Sequence, residues 1–339
     1  MTNQHLAQIR GLNAQARLAL GQIESLSAPF VWAADTGEMT RIAIARATHA
    51  AVSQALVGKA PPVEESVDLH IPGDGGHAIP VRLSIPRDPC PGAIVYLHGG
   101  GWVVGTLNTY DRLCRELANR SRMRVIAVDY RLAPEHPYPA AIEDTLAALR
   151  WVACGAAPEI PRDQPLIVAG DSAGGNLAAS ACIRSAQTDG PAIAAQVLIY
   201  PITDVTMTMR SYRDFGDGLY LTHAAMKWYW QSYLQDRLSI GRHDASVFHS
   251  KLGKGPPALV ITAEFDPLRD EGEAFANRLA SAGTPVTLRR FEGMMHGFVR
   301  FADVIDAAHN ALDLAASFIQ DAVGPEKSFQ DGQFRLHEY

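Results

Sequence analysis

In the stretch IVAGDSAGGNLAAS, residues 167–180, an apolar run passes straight into Gly170-Asp171-Ser172-Ala173-Gly174 and then into a run of small residues. A serine at a sharp strand-to-helix turn projects its hydroxyl out of the protein, and a glycine two positions to either side relieves the crowding of that turn. The helix N-terminus that follows favours negative charge developing beside Ser172. These are the needs of a nucleophilic hydroxyl. The same pentapeptide also fits a tight turn whose serine only caps a helix, so the rest of the chain has to decide.

Three further groups supply that context. YLHGGGW, ending at Trp102, follows the apolar run AIVYL, and its consecutive glycines expose backbone N–H groups that could hold the oxyanion of an acyl-transfer intermediate. A phosphate loop is the rival reading, but neither GK[ST] nor a GxGxxG register is present. ALVITAEFDPLRDEG ends a buried run at Asp266, where a carboxylate can receive the Nδ1–H of a histidine. Glu264 sits within the run and Asp270 is placed to cap the next helix, which leaves Asp266 as the acid. His296, in FEGMMHGFV, stands just beyond another strand and follows the acid in the chain. Ser172 is thus expected to attack, His296 to take and return its proton, and Asp266 to orient the ring. The N–H groups of Gly99, Gly100 and Ala173 are expected to bind the oxyanion.

All four elements fall beyond the carboxyl ends of separate apolar runs, and in an open parallel sheet those ends share one rim. The runs are AIVYLHGG, RVIAVDY, PLIVAGDS, AQVLIYP, PALVITAEFD and VTLRRFEG, with helical patterns at 108–121, 139–153, 174–187 and 270–282 between them. EESVDLHIP and HAIPVRLSIP, joined by GDGG, read as an antiparallel hairpin ahead of them. The expected fold is α/β: a mostly parallel sheet of eight strands flanked by helices on both faces. Residues 1–58 read as helices, 59–202 and 253–323 as the core, and 203–252 as an insertion with a Trp- and Tyr-rich helix that Thr222 caps. The tail 324–339 is polar and reads as poorly ordered or as a contact arm.

Composition narrows the function classes. With 339 residues, 47% of them hydrophobic, and 19% charged, the chain can bury a large core. A net charge of −6 gives no electrostatic reason to expect nucleic acid. The four cysteines lie far apart without metal-ligand spacing and read as reduced thiols; no metal or cofactor is implied. No leader pattern and no membrane-length apolar stretch is evident, so a soluble, cytoplasmic location is expected.

With HGGGW, VDYRLAPEHPYPAAIED, GDSAGGNLA, DPLRDEG and MHGF in this order over residues 93–300, the chain resembles the bacterial hormone-sensitive lipase-like esterases of the α/β-hydrolase superfamily. The resemblance implies a helical cap over the site, built from the N-terminal helices and the insertion. It further implies cofactor-free cleavage of short- and medium-chain acyl esters, with Ser172, Asp266, His296, Gly99 and Gly100 in the roles above. Dimers through an edge strand are common in that family, so a homodimer is a possible state. Trp102, Tyr200, Met226, Trp228, Trp230 and Tyr233 are candidates for the substrate pocket, with packing of cap on core as the competing use of the cap aromatics. YRLAPEHPYPAAIED reads as a rigid support for the glycine loop. Amide cleavage, acyl transfer and a binding-only role on the same fold stay open at this point.

Overall fold

The computed structural model describes residues 9–28, 36–188, 190–235, 245–324 and 335–336. Each run read as a strand is one: β1 (Glu65–Pro72), β2 (Ala78–Ile85), β3 (Ala93–Leu97), β4 (Arg124–Val128), β5 (Leu166–Asp171), β6 (Ala195–Ile199), β7 (Ala258–Phe265) and β8 (Val286–Met295). The order across the sheet is β1-β2-β4-β3-β5-β6-β7-β8, with only the β1–β2 and β2–β4 pairs antiparallel among these. A ninth strand that the sequence does not announce, β9 (Arg335–Leu336), pairs in parallel with β8. The expectation for the rest of the tail beyond Gly324 lies outside the described residues.

Helices α3 (Leu107–Ser121), α4 (Ala140–Ala153), α5 (Ala173–Gln187), α8 (Arg269–Ser281) and α9 (Asp306–Val323) cover the sheet on both faces. That explains the uninterrupted apolar strands. Val95, Val168 and Val260 pack into the layer with α4, α5 and α8, while their neighbours Ile94, Ile167 and Leu259 pack into the layer with α3 and α9. Burial on both faces removes the alternation of a half-exposed strand.

The chain order reverses between β3 and β5, which are adjacent. A crevice opens at such a switch point, beyond the carboxyl ends of the strands. Pairing of Leu97 with Gly170 starts the glycine loop and the serine turn at the same level. A register shift between Ala263 and Phe265 then brings Phe265 opposite Met295, so Asp266 and His296 leave the sheet side by side.

Helices α1 (Ala14–Ser27) and α2 (Glu38–Leu56) precede the sheet, and α6 (Arg210–Phe215), α7 (His223–Leu234) and a 3₁₀ turn at Val247–His249 occupy the insertion. Thr222 caps α7 as expected, its Oγ1 accepting the Ala225 N–H at 3.0 Å. Asn176, in the first turn of α5, reaches out of its helix: its Nδ2 donates to the carbonyls of Ile202 at 3.0 Å and Ala245 at 2.8 Å, tying α5 to both ends of the insertion.

Candidate active site

Ser172 sits at the β5–α5 turn with φ +55° and ψ −116°, a conformation that costs a non-glycine residue on the order of 1–3 kcal/mol. The turn is held by its N–H, which donates to the Ile199 carbonyl at 2.8 Å. The flanking glycines are steric requirements. A Cβ on Gly174 would overlap the Leu97 carbonyl, and one on Gly170 would overlap the Gly174 backbone.

The structure brings the three expected side chains together. His296 Nδ1 lies 2.7 Å from Asp266 Oδ2, and His296 Nε2 lies 3.1 Å from Ser172 Oγ. Asp266 is fully buried, and its other oxygen accepts the Leu268 N–H at 2.8 Å, which leaves the first free for the imidazole. A carboxylate at Nδ1 selects the tautomer protonated there, so Nε2 presents a lone pair to the serine hydroxyl. The competing carboxylates have other partners: Glu264 accepts the Gly293 N–H at 2.7 Å and Asp270 the Ser211 N–H at 2.8 Å.

The glycine loop requires one correction. The N–H of Gly99 does not face the serine; it donates to Asp171 Oδ1 at 2.8 Å. Asp171 also accepts the hydroxyls of Tyr96 at 2.9 Å and Tyr110 at 3.0 Å. Burial raises its pKa, while Arg300 and these donors pull the other way. Gly100 and Gly101 are the loop glycines that line the cavity beside Ser172, and among the described residues their N–H groups have no acceptor. The N–H of Ala173, the first of α5, likewise lacks an intrahelical acceptor. The free donors are therefore Gly100, Gly101 and Ala173.

The loop is braced from beneath by the Tyr130 segment, the support that the sequence suggests. Tyr130 Oη donates to the His98 carbonyl at 2.7 Å, and the Ala133 N–H donates to the Trp102 carbonyl at 2.8 Å. His98 Nδ1 lies 2.8 Å from the Gly99 carbonyl, and burial lowers the His98 pKa to about 4, so the ring is a neutral strut. Arg46 of α2 donates to the Val103 carbonyl at 3.0 Å and pairs with Glu135 through both carboxylate oxygens.

A cavity of 520 Å³ opens above Ser172 and His296, walled by residues of α1, α2, the 218–221 segment and α7. Of the six pocket candidates Met226 and Trp228 line it. Trp102 is fully buried, stacked on Tyr233 with centroids 4.2 Å apart and against Trp230 at 4.6 Å. Trp102, Trp230 and Tyr233 therefore join loop to α7 and do not line the cavity. Tyr200 packs its ring on His296 at 4.6 Å, a backing for the imidazole. Tyr229, Tyr220, Leu219, His49 and Arg300 line the cavity and escape the sequence reading. Spacing along α7 gives no signal here: Met226, Trp230 and Tyr233 stand at i, i+4 and i+7 on one helical face, yet only Met226 of the three lines the cavity.

Among the described residues, no group of three or more His, Cys, Asp or Glu side chains could hold a metal ion, and no helix is long and apolar enough to cross a membrane. Residues 94–300 match a family described as alpha/beta hydrolase fold. The carboxylic ester hydrolase LipN of Mycobacterium tuberculosis is 40% identical over 76% of this chain and 70% of its own length. An ethyl acetate hydrolase of Pseudomonas putida is 37% identical over 79% of this chain and 86% of its own. Among solved structures, a hyperthermophilic esterase of Pyrobaculum calidifontis superposes with a TM-score of 0.81 at 36% identity, covering 92% of this chain and 99% of that one.

Proposed function

The chain belongs to the hormone-sensitive lipase-like carboxylesterases of the α/β-hydrolase superfamily, and from that premise we propose that it hydrolyses short- to medium-chain acyl esters through an acyl-enzyme on Ser172. Ser172 Oγ attacks the ester carbonyl carbon while His296 Nε2 takes its proton. The carbonyl oxygen, now an alkoxide, receives the N–H groups of Gly100, Gly101 and Ala173. Collapse expels the alcohol, which leaves with the proton from His296. Water then repeats the sequence on the acyl-serine, releasing the acid and restoring the hydroxyl. Asp266 holds the ring and stabilises its positive charge in both halves.

The observation that carries this reading is the unbroken chain Asp266–His296–Ser172, at 2.7 and 3.1 Å, beside three backbone donors with no acceptor among the described residues. The α1–α2 pair and the 203–252 segment serve as a cap, and a mostly apolar cavity of 520 Å³ suits an acyl chain of limited length. A panel of p-nitrophenyl esters from acetate to palmitate tests the substrate class: turnover is expected to peak at short or medium chains, and a maximum at palmitate overturns that expectation. An organophosphonate is expected to label Ser172 rapidly. Labelling elsewhere, or none, would remove the nucleophile from this scheme.

A further inference from the structure

Arg300 is 5% exposed, lines the cavity above Ser172, and has no carboxylate within ion-pair distance among the described residues. Its acceptors there are two neutral hydroxyls, Ser53 Oγ at 2.6 Å from Nη2 and Tyr220 Oη at 3.4 Å from Nη1, and among the described residues its Nε has no partner. The guanidinium lies over the Tyr110 ring, 4.9 Å from its centroid. His49 stacks on the same ring with centroids 6.3 Å apart, is 8% exposed, lines the same cavity, and its Nε2 also lacks a partner among the described residues. Burial, with Arg300 nearby, lowers the His49 pKa well below its ordinary value and keeps the ring neutral. Ser53 lies one turn beyond His49 on α2, so the cap and the segment after the base meet at this cluster.

Buried polar atoms are nearly always hydrogen-bonded, and a buried cation is costly unless its donors are satisfied; Asp171 offsets the Arg300 charge from beyond ion-pair distance but accepts none of its N–H groups. Two orphaned nitrogens on neighbouring side chains, both walls of a substrate cavity, mark a place for an acceptor that arrives with the substrate. Asp171 does not fill that place, since its oxygens are taken by Tyr96, Tyr110 and Gly99. Glu24, the other acidic lining residue, stands on α1. We propose that Arg300 and His49 form an anion subsite, so that this esterase favours esters carrying a carboxylate remote from the scissile carbonyl, such as monoesters of dicarboxylic acids. The subsite rests on the hydrolase reading above for its place beside the reacting serine.

The test pairs monoethyl esters of the succinate-to-suberate series with ethyl esters of the corresponding monocarboxylic acids. The half-esters are expected to win in kcat/KM by roughly tenfold or more at one chain length, the usual scale of a charge-assisted hydrogen bond. Arg300→Met is expected to abolish the preference and His49→Phe to weaken it. Arg300→Lys, which keeps charge but not the planar fork, is expected to retain only part of it. Because Arg300→Met also unties Ser53 and Tyr220, a second measurement uses Ser172→Ala with its cap contacts intact. Calorimetric titration should show tighter binding of monoethyl adipate than of ethyl hexanoate. Equal turnover and equal binding of the paired esters, or a preference that survives Arg300→Met, overturns the subsite. A preference for an ω-hydroxy ester over the carboxylate overturns its anionic character. Failure of the neutral esters to turn over would instead count against the hydrolase reading, while the binding arm still decides the subsite.

Discussion

The rim of the sheet and the wall above it solve different problems with different materials. At the rim, positions are set by backbone and steric constraint: Ser172 at positive φ, glycines whose replacement would collide with carbonyls, and Asp266 wholly enclosed. The wall is built from side chains of α1, α2, the 218–221 segment and α7, most of them apolar, and its polar ties to the core are few. The rim therefore tolerates almost no substitution without loss of chemistry. The wall is free to vary in shape, and its changes reach selectivity before they reach the bond-breaking step.

Substitutions at the rim should bring the largest losses. Asp266→Asn removes the acceptor that selects the imidazole tautomer, and kcat is expected to fall by about 10⁴ with KM little altered. Steady-state kinetics on p-nitrophenyl butyrate reads this directly, and a loss under tenfold would deny Asp266 its role. Gly100→Ala comes next. At φ +120° a side chain is strained, and its Cβ would overlap the Val104 carbonyl. Displacing this donor is expected to cost about 10²–10³ in kcat. The parallel experiment at Gly99 separates the two glycines: Gly99→Ala would press on Asp171 and Tyr110, so its first effect should be on thermal stability.

On the wall the scale drops. Met226→Ala enlarges the cavity without touching the triad, and the expected result is a shift of the preferred acyl length upward with kcat/KM changing less than about tenfold. Trp230→Ala, one helical turn away but turned toward Trp102, should leave acyl preference alone and lower stability by about 3–5 kcal/mol, read by chemical denaturation. If the two variants exchanged phenotypes, the assignment of Met226 to the cavity and of Trp230 to the packing on Trp102 would be wrong.

Most of the rim was legible in the sequence because its parts are local. A glycine-flanked serine, a glycine run and an acid at a strand end each show their constraint within a few residues, and parallel strands bring such ends together. What escaped was whatever depends on partners distant in the chain. Gly99 and Gly100 look alike in sequence; they differ because the Asp171 carboxylate, 72 positions on, takes the N–H of one. Trp102 and Tyr200 have the composition of pocket residues, yet Tyr233 and His296 claim their faces. Arg300 stands in an unremarkable position after MHGFV, and only its meeting with Ser53, 247 positions earlier, shows it as part of the wall. A two-residue strand such as β9 carries no pattern long enough to read.

The seam between rim and wall offers the subtlest probe. Glu271, wholly buried in α8, accepts the N–H groups of Thr203 at 2.6 Å and Asp204 at 3.2 Å, where the chain leaves the core for the insertion. Burial raises its pKa to about 8, against the opposing pull of those two donors. The unfolded chain releases this proton near 4.5, so between that pH and about 8 the folded protein holds a proton that the unfolded one has lost. Stability from this group is therefore present at low pH and falls as pH rises through the window, by at most about 1.4 kcal/mol per pH unit. Glu271→Gln keeps an oxygen for both N–H groups but cannot ionise. Thermal melts in matched buffers should show Tm declining with pH more steeply in the wild type than in the variant, by about a degree or two per unit. Other carboxyls titrate alike in both proteins, so the difference in slope isolates this one. Parallel slopes would mean that Glu271 is already ionised in the fold, held by its two N–H donors more strongly than burial opposes them.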